Sequence, residues 1–252
     1  MRRRFFVEKF EVGTASLRGE AAHHLGRVLR AESGQLYELS DGERVWLART
    51  ESVARDQVQF SLVEPLPTPA AAVHIELLLA IVKFDRFEWA LEKATELGAD
   101  EIVPLAAERS EKGLIAAAGK RAERWKRILA ESAQQGRRLC IPGLRDAAKP
   151  LDAFRASAAP LKMLLSERAG ARPLRDILEP VASRRREEEA TRVAFAIGPE
   201  GGWTDAEFEA AGACGFVEAA LGANILRTET AVCAALAVVQ YAFGAFRAKS
   251  GS

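Results

Sequence analysis

The sequence predicts an α/β protein in two parts: a small N-terminal β domain over residues 1–70, linker included, and a larger domain over residues 71–252 built on a mostly parallel sheet. Three observations carry that expectation. Up to about Val63, apolar and polar side chains alternate in short stretches, the period of a half-buried strand. Glu64-Pro65-Leu66-Pro67-Thr68-Pro69-Ala70 then reads as a semi-rigid, proline-spaced linker. Beyond it, short apolar runs alternate with segments of helical spacing, as in a parallel sheet covered by helices.

Gln35-Leu36-Tyr37-Glu38-Leu39 and Arg44-Val45-Trp46-Leu47-Ala48 read as strands joined by a Ser40-Asp41-Gly42-Glu43 hairpin turn, and Gln57 to Leu62 alternates strictly. Such strands form a small barrel. Residues 73–81 are a nearly unbroken apolar run, as expected of a strand buried on both faces. In the helix that follows, Asp85 and Glu88 have capping-box spacing. Phe84, Phe87, Leu91, Ala94 and Leu97 keep one of its faces apolar, and Gly98 ends it. Further strands are expected at residues 101–105, 139–141, 161–165, 193–197 and 216–220, and helices at 121–135, 205–213 and 229–246. The last helix is apolar but interrupted by Gln240, and shorter than the roughly 20 residues that span a bilayer, so it reads as buried. Arg184-Arg185-Arg186-Glu187-Glu188-Glu189 reads as an exposed helix end or loop.

Composition is that of a soluble globular protein: 48% hydrophobic and 28% charged over 252 residues, with a net charge of +1. No global field draws the chain to nucleic acid, but charge is locally uneven. Lys120, Arg121, Arg124, Lys126, Arg127, Arg137 and Arg138 face only Glu123 and Glu131 in their stretch, and Arg2, Arg3 and Arg4 form a second cluster. Either cluster alone reads as a solvated face. Cys140, Cys214 and Cys233 lack C-x-x-C spacing, which argues against a disulfide framework or a zinc site and fits a reducing cytoplasm. Cys140 and Cys214 read as small buried apolar residues. His23, His24 and His74 lack metal-site spacing, so no metal is expected. After Met1-Arg2-Arg3-Arg4 only Phe5-Phe6-Val7 is apolar before Glu8-Lys9, too little for a signal peptide.

Two C-terminal segments carry the chemistry. Ile197-Gly198-Pro199-Glu200-Gly201-Gly202-Trp203-Thr204 and Leu221-Gly222-Ala223-Asn224-Ile225-Leu226-Arg227-Thr228-Glu229-Thr230-Ala231 each end a strand, turn through glycine and start a helix. Two such turns side by side form the crevice in which open α/β sheets hold ligands. Gly198, Gly201 and Gly202 permit positive φ and close backbone approach, while Pro199 stiffens the loop. Thr204 and Glu207 form a capping box, placing a helix start at Asp205. Thr228 suits an N-cap and Glu229 the positive end of the helix dipole. Arg227 then sits at the mouth of the cleft, where it could pair with a carboxylate, a phosphate or an oxyanion, or instead make a structural salt bridge to Glu200 or Glu229. Neither a Rossmann fingerprint nor a Walker P-loop is present.

GPEGGWT with LGANILRTETA resembles the signature of the bacterial small-subunit rRNA uridine N3-methyltransferases, of the SPOUT class of trefoil-knotted enzymes. Lys83-Phe84-Asp85-Arg86-Phe87-Glu88, Lys93 to Gly98, Glu108-Arg109-Ser110, and Gln135, Arg138 and Pro142 are similar to further family segments. Arg4-Phe5-Phe6-Val7, His24-Leu25 and Val28-Leu29-Arg30 resemble its accessory domain. Gln134, Gly136 and Trp203 depart from the pattern, where glutamate, serine and phenylalanine are usual.

The resemblance implies a PUA-like β-barrel, a knotted second domain, a homodimer and S-adenosylmethionine as cofactor, with no membrane partner. It places the cofactor in three loops: Leu165-Ser166-Glu167; Ile197, Gly198, Pro199, Glu200, Gly201 and Gly202; and Leu221, Gly222, Ile225, Leu226, Arg227 and Thr230. Arg227 is the expected stabiliser of the uracil oxygen, with Glu200 or Glu229 as base. Contact with ribosomal RNA is expected from Arg2, Arg3, Arg4, Arg30, Lys83, Arg86, Arg109, Arg137 and Arg138. A ribose 2′-O-methyltransferase of the same class and a non-catalytic RNA-binding protein are the other readings.

Overall fold

The computed structural model describes residues 3–68, 71–184 and 190–243, so Arg2, most of the 184–189 charge run and the end of the expected last helix lie outside the described residues. The chain forms two compact units: Met1–Pro69 with Glu131–Ile141, and Ala70–Ala130 with Pro142–Ser252.

The first unit carries β1 (Arg4–Phe6), β2 (Thr14–Arg18), α1 (Gly19–His23), β3 (Leu36–Ser40), β4 (Val45–Val53) and β5 (Gln57–Leu66). Its sheet has the order β1-β3-β4-β5-β2, with β1 parallel to β3 and the other pairs antiparallel. Phe5, Leu17, Leu39, Ala48, Val58 and Phe60 point to one side and form its core. The β3–β4 hairpin turns where Gly42 has φ +92°, and the Asp41 carboxylate accepts the amides of Glu43 and Arg44 at 3.0 and 2.7 Å. Burial pushes the Asp41 carboxyl up, but those amides and the Arg44 guanidinium outweigh it and hold the group below its ordinary value.

Two expectations fail in this unit. The linker was expected from Glu64, yet β5 runs on through Pro65 to Leu66. Proline is tolerated there because β2 pairs only with Gln57 to Ser61, leaving Pro65 without a neighbour on that side. Residues 139–141 form no strand. Side chains take the carbonyl groups leading into this stretch instead: Arg4 donates to Arg137 and Arg138 at 2.7 and 3.1 Å, and Ser40 Oγ donates to Leu139.

The second unit opens with β6 (Val73–Ala80), α2 (Phe84–Glu96), β7 (Ala99–Leu105), α3 (Lys112–Ala118), α4 (Ala122–Gln135, which crosses into the first unit) and β8 (Gly143–Leu144). It continues with α5 (Pro150–Ala156), β9 (Leu161–Leu165), β10 (Arg172–Pro173), α6 (Leu174–Arg184), β11 (Thr191–Ile197), α7 (Asp205–Ala213), β12 (Val217–Ala220) and α8 (Thr228–Ala242). Every pair in its seven-stranded sheet is parallel, and the order is β10-β12-β9-β11-β6-β7-β8. Two late strands, β11 and β12, thus take places between strands laid down earlier in the chain.

Alternation along β6 sends Ile75, Leu77 and Leu79 to the face covered by α2, α6 and α8, and Leu78 and Ala80 to the face covered by α5 and α7. Ala231, Val232, Ala235, Leu236 and Val239 bury one flank of α8, as its sequence requires. Gly98, at φ +97°, stops α2, and Gln240 Nε2 donates to the Leu97 carbonyl at 3.0 Å. The capping box expected at Asp85 and Glu88 does not form. Lys83 occupies the cap position, and Glu88 instead accepts from Arg121, just before α4, and from Arg124 within it, at 3.4 and 2.8 Å. Cys140 and Cys214, expected to be buried, are half-buried. Among the described residues no helix is long and apolar enough to cross a membrane, and no group of three or more potential metal ligands occurs.

Candidate active site

Because β9, β11 and β12 are parallel neighbours, the loops that follow them leave the same edge of the sheet. Side chains tie these loops to one another. Trp203 Nε1 donates to the Leu165 carbonyl at 3.2 Å, joining the β9 and β11 loops. Thr228 Oγ1 donates to the Gly198 carbonyl at 3.0 Å, joining the β11 loop to the start of α8. Ser166 binds β12 twice, through its amide to Ala219 O at 2.9 Å and its hydroxyl to Glu218 at 2.7 Å. Arg109 Nη1 closes the far side on the Gly201 carbonyl at 2.8 Å.

The three glycines of the β11 loop do different jobs. Only Gly202 has a positive φ, +70°. Gly198 lies against the Trp203 indole, where an added Cβ would come within 2.9 Å of the ring, and Gly201 lies against Arg109, 3.2 Å from its Cβ. The positive φ expected at all three is therefore replaced by close packing at two of them. A Cβ on Gly222 would meet no described atom within 4 Å, so protein packing does not demand glycine there.

The capping box of Thr204 and Glu207 forms as expected, and Glu207 also accepts the Glu108 amide at 3.0 Å. The second helix start differs. Arg227, not Thr228, holds the cap position of α8, which frees the Thr228 hydroxyl for Gly198. Thr228→Val keeps the shape and removes that bond. Its expected cost is about 1 kcal/mol, a fall of roughly 2–4 °C in Tm; an unchanged melting curve would count against the tie.

The structural salt bridge considered for Arg227 is also absent. Glu200 and Glu229 are engaged by Arg86, with Arg86 Nε 3.9 Å from Glu229 Oε1. Arg227 is exposed; its carbonyl accepts the Ala231 amide at 2.8 Å, but its guanidinium makes no hydrogen bond or ion pair among the described residues. Of the other expected cofactor residues, Ile197 is buried in the core and Leu221 packs against it. Glu167 and Thr230 are exposed, as are Ile225 at 79% and Leu226 at 36%.

The expected RNA contacts scatter. Arg3, Arg30, Lys83 and Arg109 are exposed, with Arg30 held at φ +52°. Arg4 is 12% exposed and bonded to Glu38 at 2.9 Å, and Arg137 lies 3.4 Å from the same carboxylate. Arg138 is half-buried, its carbonyl bonded to Arg4. Within the basic stretch, Arg121 and Arg124 serve Glu88, and Lys126 serves Glu123 at 2.8 Å. Sequence reading missed the Arg86 contact, the Thr228 tie and the use of the Trp203 N–H. The departure at Trp203 was the one available signal, because phenylalanine has no N–H to offer Leu165.

Residues 69–240 match the family model for the RNA methyltransferase domain. The ribosomal RNA small subunit methyltransferase E of Synechocystis sp. is 33% identical over 242 residues, covering 92% of this chain and 74% of that protein. Its Bacillus subtilis namesake is 30% identical over 247 residues, covering 94% and 96%. A Legionella pneumophila methyltransferase structure in complex with bound SAM superposes with a TM-score of 0.81 at 32% identity, covering 96% of this chain and 98% of that one. A ribosomal RNA small subunit methyltransferase E from Neisseria gonorrhoeae, bound to S-adenosyl methionine, gives 0.81 at 28% identity with the same coverage. With the family model spanning the strands and loops that build the cleft, the chain belongs to the RNA methyltransferase family.

Proposed function

We propose that the chain is an S-adenosylmethionine-dependent methyltransferase acting on N3 of a uridine in small-subunit ribosomal RNA. The observation that carries the reading is the set of three tied loops at one edge of the sheet, with Arg227 exposed and unpaired among the described residues beside them. The residues present fit the cofactor. Among the described residues, the amides from Gly222 to Arg227 donate to no backbone carbonyl, and Ile225 and Leu226 offer apolar surface next to them. That combination suits the edge and faces of an adenine. Relatives named as small-subunit rRNA methyltransferases, and neighbouring structures holding the same cofactor, support both cofactor and substrate.

Leu165 to Glu167, Ile197 to Gly202 and Leu221 to Thr230 would hold the cofactor, which supplies an electrophilic methyl group when bound. The chain has to orient uracil N3 in line with that group. It also has to assist loss of the N3 proton, since the neutral nitrogen is a poor nucleophile. Arg227 stabilises the uracil oxygen that gains negative charge, and Glu200 or Glu229 accepts the proton.

We read the second unit as a trefoil-knotted SPOUT domain, which the placing of β11 and β12 between earlier strands supports. The first unit, with its five-stranded sheet, reads as a PUA-like RNA-binding barrel, and the enzyme as a cytoplasmic homodimer. Incubating the protein with small-subunit rRNA and cofactor, then analysing nucleosides by mass spectrometry, tests the reading. N3-methyluridine is expected. A 2′-O-methylated nucleoside would move the chain to ribose methylation, and cofactor binding without any methylated product to the non-catalytic reading.

For RNA contact the two neighbouring arginines part company. Arg3→Ala is expected to make the log–log slope of rRNA affinity against salt shallower by about 1. Arg4→Ala is expected to lower Tm instead, because its guanidinium already serves Glu38 and two carbonyl groups. Equal slopes for wild type and Arg3→Ala would remove Arg3 from the interface.

A further inference from the structure

In the second unit, one guanidinium meets two carboxylates. Arg86, in the first turn of α2, pairs through Nη1 with Glu200 and through Nε with Glu229. The three groups come from separate elements: the helix after β6, the loop after β11 and the helix after β12. They also differ in access. Glu200 is 44% exposed, Arg86 28% and Glu229 15%. The second carboxylate oxygen of Glu229, Oε2, is buried and has no hydrogen-bond partner among the described residues. A carboxylate so placed depends on a counter-charge, and Arg227 does not supply it.

We propose that Arg86 is a positioning residue for methyl transfer: by bridging Glu200 and Glu229 it keeps two like charges together and holds Glu200 as the carboxylate open to the reacting base. The proposal rests on the uridine reading above. The loop backbone is fixed by other means, since Gly198, Pro199 and Gly201 have their carbonyl groups bonded to Thr228, Gly202 and Arg109. What Arg86 fixes is the Glu200 side chain. Without the guanidinium the two carboxylates repel, and Glu200 turns away from the cleft. Lysine restores the charge but not the planar fork that reaches both partners. The role differs from the RNA contact expected from the sequence, because the charge of Arg86 is already engaged within the protein.

The test compares the full-length wild type with Arg86→Ala, Arg86→Lys and the double variant Arg86→Ala/Glu229→Gln. Cofactor affinity is read by calorimetry, methylation by single turnover on small-subunit rRNA, and folding by thermal melt. Arg86→Ala is expected to slow turnover roughly 10–100-fold, the scale lost when an outer partner that orients a reacting group is removed. Its cofactor affinity stays within about threefold of wild type, because the ties of Trp203 to Leu165 and of Thr228 to Gly198 survive. Lysine recovers part of the rate, and adding Glu229→Gln recovers part by removing one of the two repelling charges. The slope of rRNA affinity against salt stays as in wild type. A normal rate per folded molecule in Arg86→Ala overturns the inference alone. So does a rate that falls with Tm and is not recovered in the double variant, or a slope shallower by about 1, which returns Arg86 to RNA contact. A wild type that yields no N3-methyluridine overturns the uridine reading, and the inference with it.

Discussion

Replacing Arg227 with alanine is expected to slow single-turnover methylation roughly 10²–10³-fold, the loss typical of removing one donor to a developing oxyanion, while cofactor affinity is largely kept. The structure sharpens this expectation. Arg227 precedes α8 at its cap position with extended backbone, φ −66° and ψ 154°, and makes no cap bond with its side chain. It is exposed, and both carboxylates that could have paired with it, Glu200 and Glu229, are engaged by Arg86. Truncation therefore leaves no buried partner behind and should barely move Tm. Lysine is expected to rescue the rate only in part, since a point charge cannot reproduce the guanidinium fork. The decisive comparison sets single-turnover rate beside a thermal melt. An alanine variant that melts much earlier yet methylates normally per folded molecule would make Arg227 a structural residue and remove it from the chemistry.

Gly198→Val is expected to destroy cofactor binding and to destabilise the second unit, making it the most damaging single change in the three loops. An added Cβ would lie 2.9, 3.0 and 3.2 Å from three atoms of the Trp203 indole. That ring cannot swing aside. It is 5% exposed, sits edge-on to Phe154 with centroids 6.0 Å apart, and is bonded to the Leu165 carbonyl. Overpacking at such a point costs about 1–3 kcal/mol even before the valine methyl groups are counted. The backbone shift that relieves it also breaks the tie between the β9 and β11 loops. Gly222→Ala is the internal control: with no described atom within 4 Å of its Cβ, it should fold and melt as wild type. Calorimetry with S-adenosylmethionine and thermal melts separate the cases. Near-normal affinity and Tm in Gly198→Val would mean that the indole gives way, and the loop ties would lose their importance.

Much of the second unit was legible because its strands are buried on both faces and so read as unbroken apolar runs. Residues 73–81, 161–165 and 193–197 correspond to β6, β9 and β11 with small shifts at the ends. The Thr204–Glu207 box was legible for a different reason: both partners lie three residues apart, so local spacing contains the whole interaction. What failed was long-range. Nothing near Leu139 shows that Ser40 takes its carbonyl, nor does anything near Glu88 show that Arg121 and Arg124 are its partners rather than the start of its own helix. Short elements also escaped. β8 and β10 have two residues each, too few for any periodicity to register. In the site, the two carboxylates and Arg227 were picked out from motif and position. The cation that unites the carboxylates sits more than a hundred residues earlier, and only the parallel sheet brings it near.

The order of strands in that sheet also sets a schedule for assembly. Val73 of β6 cannot find its partner on one side until Thr191 exists, and Met163 of β9 waits likewise for Val217. Pairings so distant in sequence close slowly, and a hydrophobic strand edge left open meanwhile can recruit another nascent chain. The lining of the cleft is thus the last part of the fold to come together during synthesis. A ribosome that has made two thirds of this polypeptide carries a half-laid sheet with nowhere for a ligand to sit, and competence arrives only when the last two strands slot into gaps the earlier ones have kept open.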